Sequence, residues 1–150
     1  ISTVINDLLY IPTSHMVLFF PDEGAMKRYA NIAKIFHTPY VFGMKNRDWK
    51  TGQIKSLSVL GETDVIAGKD VLIIDDICSR GGTFYHSAKA LKELGVNDIY
   101  LYVSHLENSV HKGDMIKSGL IKHIFTTNSI YRPSLAPDEN ADKITMIPLV

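Results

Sequence analysis

The stretch VLIIDDICSRGGTF, residues 71–84, sets two aspartates directly after an apolar run and then two glycines and a threonine ahead of a helix. Gly81 and Gly82 let the backbone take positive φ and come close to a ligand, so the amides of residues 79–83 can curl into an anion nest at the helix N-terminus. A phosphate monoester suits such a nest, with the hydroxyls of Ser79 and Thr83 as further donors and Arg80 as nearby positive charge. Asp75 and Asp76 repel phosphate; they suit a neighbouring pair of sugar hydroxyls, or a divalent cation that bridges hydroxyls to a diphosphate. Phosphate on one side and a diol on the other describe a ribose phosphate. A strand-end turn and a helix entry capped by Thr83 would account for an isolated Asp-Asp or Gly-Gly pair; the fourteen-residue string is more specific.

These residues need a scaffold, and the flanking pattern supplies one. Residues 15–20 (HMVLFF) read as a buried strand halted by Pro21 and Gly24, and apolar residues at three- and four-residue spacing over 25–36 predict an amphipathic helix. Residues 39–44 read as a strand, 45–55 (KNRDWKTGQIK) as a polar, basic loop, and 56–61 as a shorter strand. Beyond the quoted stretch, Phe84, Ala88, Leu91 and Leu94 mark one face of a helix stopped by Gly95. Strands are expected at 98–105, 120–127 and 144–147, with a short helix over 110–117. Strands alternating with helices imply an α/β fold whose mainly parallel sheet is covered on both faces, and ligands bind such sheets beyond the carboxyl ends of the strands.

Composition bounds the function. The 150 residues, 45% of them hydrophobic and 21% charged, suit one domain. Sixteen basic against sixteen acidic side chains give no net field toward nucleic acid or an anionic membrane, so phosphate binding has to be local. No apolar run approaches the length that spans a bilayer. The lone Cys78 excludes an internal disulfide and a cysteine-based zinc site, and a reducing cytoplasm is the expected compartment. Residues 1–10 lack the zones of a signal peptide, and a first residue that is Ile1 rather than Met leads us to expect a piece of a longer chain.

The 71–84 string resembles the signature of type I phosphoribosyltransferases, in which an apolar strand, two acidic residues, a short loop and a Gly-Thr helix start hold the ribose 5-phosphate of phosphoribosyl pyrophosphate. FPDEGAMKR (20–28) is similar to the Ser-Pro-Asp-x-Gly-x-x-Lys-Arg segment of ribose-phosphate pyrophosphokinases, with Pro21, Asp22, Gly24, Lys27 and Arg28 in register. MKNRDWK (44–50) resembles that family's flexible loop, with Lys45 and Arg47 two apart, and YVSHLENS and TTNSI (102–109 and 126–130) resemble its later segments. The likeness runs from about Val17 to Ile130 and corresponds to the C-terminal half of that two-domain enzyme. Ser79 and Arg80 replace the usual Asp-Thr, Leu106 replaces a glycine after His105, and Met44 replaces a histidine before Lys45.

The resemblance implies a phosphoribosyltransferase-like, Rossmann-like three-layer fold and transfer of the diphosphoryl group of ATP to ribose 5-phosphate with release of AMP. Ser79, Arg80, Gly81, Gly82 and Thr83 would clamp the 5-phosphate, and Asp75 and Asp76 would hold the ribose hydroxyls directly or through Mg2+. Lys45 and Arg47 would close over the triphosphate, the alternative for both being a solvated basic loop. Asp22 and Gly24 would face the pyrophosphate side. Lys27 and Arg28 are phosphate contacts or an exposed face, at least one of them exposed. His105 approaches the site or is a hydrogen-bonded structural residue, and Trp49 stacks on adenine or packs under its own loop. Cys78 reads as a small apolar residue. The remaining histidines show no metal-ligand pattern. The family also implies self-association and an upstream half-domain without which the chain would not turn over. Two other readings share the loop: a phosphoribosyltransferase that consumes phosphoribosyl pyrophosphate, and a sugar-phosphate-binding regulator without chemistry.

Overall fold

The computed structural model describes residues 1, 3–8 and 11–148. Seven strands form one sheet: β1 (Met16–Phe20), β2 (Tyr40–Arg47), β3 (Ile54–Gly61), β4 (Asp70–Cys78), β5 (Ile99–Leu106), β6 (His123–Thr127) and β7 (Ile144–Ile147). Their order is β3-β2-β1-β4-β5-β6-β7, and every neighbouring pair is parallel except β2 with β3. The chain therefore proceeds outward from β1 on one side and from β4 on the other. The crevice between the carboxyl ends of β1 and β4 is the switch point where open α/β sheets bind ligands.

The central strands are apolar throughout because both faces are covered. Met16, Leu18, Phe20, Leu72 and Ile74 pack beneath α1 (Glu23–Ile35) with Ala25 and Ala33. On the other face Val17, Phe19, Val71, Ile73, Ile99 and Leu101 pack with Phe84, Ala88 and Leu91 of α2 (Gly82–Glu93) and with Met115 and Ile116 of α3 (Asp114–Ser118). Among the described residues no helix is long and apolar enough to cross a membrane.

β3 begins two residues before, and β6 three residues after, the start expected from the sequence, and three further elements differ more. Residues 45–47 continue β2, which pairs with β3 as a hairpin whose turn carries Trp49, 85% exposed. The strand is hard to read because its outer half lies near the sheet edge: its polar side chains need no core, and Asn46 bonds Ser56 and Ser58 across the pair. β4 likewise runs on through Cys78, since β5 offers partners as far as Leu106. Asp75 and Asp76 are therefore strand residues and not a strand-end turn. The 110–117 helix is divided at Gly113 into a 3-10 segment, Asn108–Lys112, and α3.

Candidate functional site

The switch-point geometry brings together residues from four places in the chain. A cavity of about 520 Å3 is lined by Lys45, Ile54, Asp75, Ile77, Phe84 and the whole 79–83 loop. A hollow of similar size, about 550 Å3, lies at the amino end of β2 against Asn31, Lys34, His37 and Tyr40. Size does not separate the two; only the first sits at the carboxyl ends of the strands.

The phosphate loop owes its shape to two close approaches. Gly81 has φ of 90° and a Cβ there would meet Met115 at 2.9 Å, so this position requires glycine on both counts. Gly113 is pressed against the loop from behind, where a Cβ would lie 2.0 Å from the Arg80 carbonyl oxygen. Gly82, expected to share the positive φ, is instead the first residue of α2, with open space where its Cβ would be. Because the N-cap is Gly81, it offers no side chain to the first-turn amides of α2, and residues 82–84 of that turn are among those lining the cavity.

Not every side chain of the loop faces a ligand. The Ser79 hydroxyl donates to Glu107 Oε2 (2.9 Å), and the Arg80 guanidinium donates to the Lys112 carbonyl (2.9 Å). Arg80 thus braces the loop against the segment that precedes Gly113. The Thr83 carbonyl accepts from Ser87 within α2.

The acidic groups are held by α1 and β2. Asp22 caps α1, its Oδ1 accepting from the Ala25 amide (2.8 Å), while its Oδ2 lies 3.9 Å from Lys45 Nζ. Gly24 follows in the first turn, close to Asp22 and Arg28. Arg28 reaches both members of the acidic pair, with distances of 3.3 Å to Asp75 and 3.0 Å to Asp76, and the Tyr29 hydroxyl donates to Asp76. Burial raises the Asp75 carboxyl above its ordinary value, and the Asp76 amide that donates to it acts in the opposite direction. The sequence reading left Arg28 open and passed over Tyr29; the signal available was their position one helical turn inside a helix that starts beside the site.

Other candidates lie outside. Lys27 pairs with Glu23 on the exposed face of α1 (3.3 Å). Arg47 donates to the Gly52 carbonyl at the hairpin tip (3.0 Å) and is not among the cavity's lining residues. His105 Nδ1 shares a hydrogen bond with Ser129 (2.8 Å). Trp49 has Lys50 over its ring, and Cys78 is buried.

Among the described residues no cluster of three or more His, Cys, Asp or Glu side chains is arranged to hold a metal by itself. Asp75 lines the cavity, while Asp76 is not among its lining residues and has Tyr29 and Arg28 on its two oxygens; a Mg2+ ion taken by the pair, with ligand phosphates and water completing its shell, would have to share Asp76 with these partners.

Residues 1–130 match the model of the phosphoribosyl transferase domain. The chain belongs to this family. Among curated phosphoribosyl transferase relatives it is similar to the ribose-phosphate pyrophosphokinase of Sulfurisphaera tokodaii, 38% identical over 115 residues that cover 73% of this chain and 37% of that protein. It is also similar to the ribose-phosphate pyrophosphokinase of Staphylococcus saprophyticus, 31% identical over 140 residues, 93% of this chain and 42% of that one. The chain thus spans about two-fifths of the length of these relatives. Solved structures bear out the phosphoribosyltransferase-like fold. The phosphoribosylpyrophosphate synthetase from Mycobacterium smegmatis superposes with a TM-score of 0.67 at 21% identity, over 89% of this chain and 41% of that one. The APRTase from Giardia lamblia, complexed with 9-deazaadenine, gives 0.60 at 16% identity, over 83% of this chain and 73% of that one.

Proposed function

We propose that this chain is the ribose 5-phosphate-binding part of a ribose-phosphate pyrophosphokinase. In that reaction the 1-hydroxyl of ribose 5-phosphate attacks the β-phosphorus of ATP; the O–P bond to the sugar forms, the bond to the α-phosphate oxygen breaks, and phosphoribosyl pyrophosphate and AMP result. The observation that carries the reading is Lys45, a cation delivered by β2 into the same cavity as Asp75 and the 79–83 loop. The names of the relatives support it.

Diphosphoryl transfer is accelerated mainly by alignment and by neutralising charge that builds on the transferring group. The α2 amides, with Thr83, hold the 5-phosphate and so fix one end of the sugar. Asp75 and Asp76 fix the other through its hydroxyls, which leaves the 1-hydroxyl facing Lys45. Lys45 offsets negative charge on the transferring group, and Asp22, 3.9 Å away, keeps the ammonium on that side of the cavity. Mg2+, held by Asp75 and Asp76 with phosphate oxygens, would supply further charge neutralisation. A cytoplasmic location and self-association belong to the same reading.

Arg47 favours a second one. It was to act beside Lys45, yet it is engaged at the hairpin tip, and a phosphoribosyltransferase that uses phosphoribosyl pyrophosphate and a base has no need of it. Phosphorus NMR of the full-length parent protein, upstream half-domain included, with ATP, Mg2+ and ribose 5-phosphate separates the two. Phosphoribosyl pyrophosphate and AMP should appear and vanish in Lys45→Ala; pyrophosphate release only on adding phosphoribosyl pyrophosphate and a nucleobase would overturn the synthetase reading.

A further inference from the structure

The 3-10 segment Asn108–Lys112 lies outside the cavity and joins the back of the phosphate loop to the tail of the chain. On the tail side, the Asn108 side chain donates to the Arg132 carbonyl and accepts from the Arg132 amide, both at 2.9 Å. His111 Nε2 is 2.8 Å from the Tyr131 hydroxyl, and Asn140, in the 3-10 turn Asp138–Lys143, brings its Nδ2 to 2.9 Å from His111 Nδ1. On the loop side, the Lys112 carbonyl accepts from Arg80, and Gly113 has no room for a Cβ beside the Arg80 carbonyl. An amide nitrogen only donates, so Asn140 makes Nδ1 an acceptor; the proton of the neutral ring then sits on Nε2 and is donated to Tyr131. Both partners are buried. Protonation of Nδ1 would set two N–H donors against each other and break this tie. The titratable group facing the ring is Tyr131, from the tail, while the turn presents the neutral Asn140. Lys112, Arg132, Asp138 and Glu139 on the same elements are exposed, and burial alone lowers the imidazole below its ordinary value.

From this geometry we infer that His111 is a positioning residue of the phosphate loop, acting through the Lys112 carbonyl and Arg80, and that acid loosens the loop by unfastening His111 from the tail. The inference rests on the reading of residues 79–83 as a phosphate cradle and adds a control on it from outside the cavity.

The test is the affinity of ribose 5-phosphate, measured by titration calorimetry from about pH 8 to about pH 5, the range in which histidine changes charge. The proteins are the wild type, His111→Phe, Asn140→Asp, Arg80→Ala and the Arg80→Ala/His111→Phe double variant. Each affinity is taken as a ratio to the wild type at the same pH, which divides out the titration of the phosphate. At the upper end His111→Phe should bind about fivefold more weakly, the scale of one lost hydrogen bond. That ratio should approach one in acid, where the wild type has opened as well. Asn140→Asp accepts from the protonated ring and keeps the tie closed, so in acid it should bind about fivefold more tightly than the wild type. In the Arg80→Ala background His111→Phe should add less than about twofold, because one residue works through the other. Where His111→Phe does not fold, His111→Gln takes its place, and its ratio to the wild type has to move with pH. Ratios that stay constant with pH, no gain for Asn140→Asp in acid, or multiplying effects of Arg80→Ala and His111→Phe would overturn the inference while leaving the phosphate cradle standing. A wild type that binds no ribose 5-phosphate would overturn the cradle itself, and this inference with it.

Discussion

Lys45 on β2 and Asp22 at the head of α1 face each other across the carboxyl end of the sheet, Nζ to Oδ2 at 3.9 Å. The carboxyl also caps α1 through Oδ1, so one residue fixes the helix start and the position of the cation. The two contributions are separable by substitution. Asp22→Ala should lower stability by about 1 kcal/mol, the usual cost of a lost N-cap, as read from urea denaturation. Lys45→Ala should leave the fold unchanged and, in the full-length parent protein, reduce turnover by about 100-fold or more, the scale of removing one donor that stabilises transition-state charge, with ribose 5-phosphate affinity changed far less.

Neighbouring glycines should fail in different ways. In Gly113→Ala the new Cβ would sit 2.0 Å from the Arg80 carbonyl oxygen, so the loop must move, and a loss of about 1–3 kcal/mol in stability is expected from overpacking. In Gly82→Ala the Cβ enters open space at the start of α2. Stability should hold or rise by a few tenths of a kcal/mol, while phosphate binding weakens because the methyl occupies the cavity. Denaturation curves and ribose 5-phosphate titrations of both variants check this; equal stability losses would contradict it.

Glu107 places a negative charge beside the phosphate loop by accepting from Ser79 (2.9 Å). Glu107→Gln keeps an acceptor and removes the charge, so ribose 5-phosphate should bind a few-fold more tightly at low ionic strength, the gain shrinking with added salt. An unchanged affinity would mean that this carboxylate does not act on the ligand.

Cys78 ends β4 in the core, and burial, with lesser contributions from Glu107 and Asp75, pushes its thiol up from 9.0 to about 12. The native protein should therefore resist thiol reagents at pH 8 and react once unfolded. The sign for stability follows from proton counting: between pH 9 and 12 the folded state retains a proton that the unfolded state has lost. Stability should thus fall as pH rises through that window, by up to about 1.4 kcal/mol per pH unit, relative to a Cys78→Ala variant measured alongside.

Much of this site was legible because local chemistry and fold agree there. The apolar runs at Val17 and Val71 are continuous since their strands are covered on both faces, and Gly81 stands where positive φ and Met115 together admit nothing larger. Lys45 was placed in a loop because the outer half of β2 has polar side chains and gains its order from backbone pairing with β3, which no periodicity announces. The roles of Arg28 and Tyr29 depend on contacts 47 residues apart in the chain, and pattern reading along the sequence has no access to them. Arg80 and Ser79 were assigned to phosphate by type, but the segment around Gly113 and Glu107 supplies them with other partners.

The most direct test of the central claim is to titrate the 15N-labelled protein with ribose 5-phosphate and follow its amide resonances. Saturable shifts should appear first and largest at residues 79–84, and ribose without phosphate should leave those amides unmoved. Absent shifts there, or the same shifts produced by ribose alone, would contradict a phosphate cradle in this loop and the function built on it.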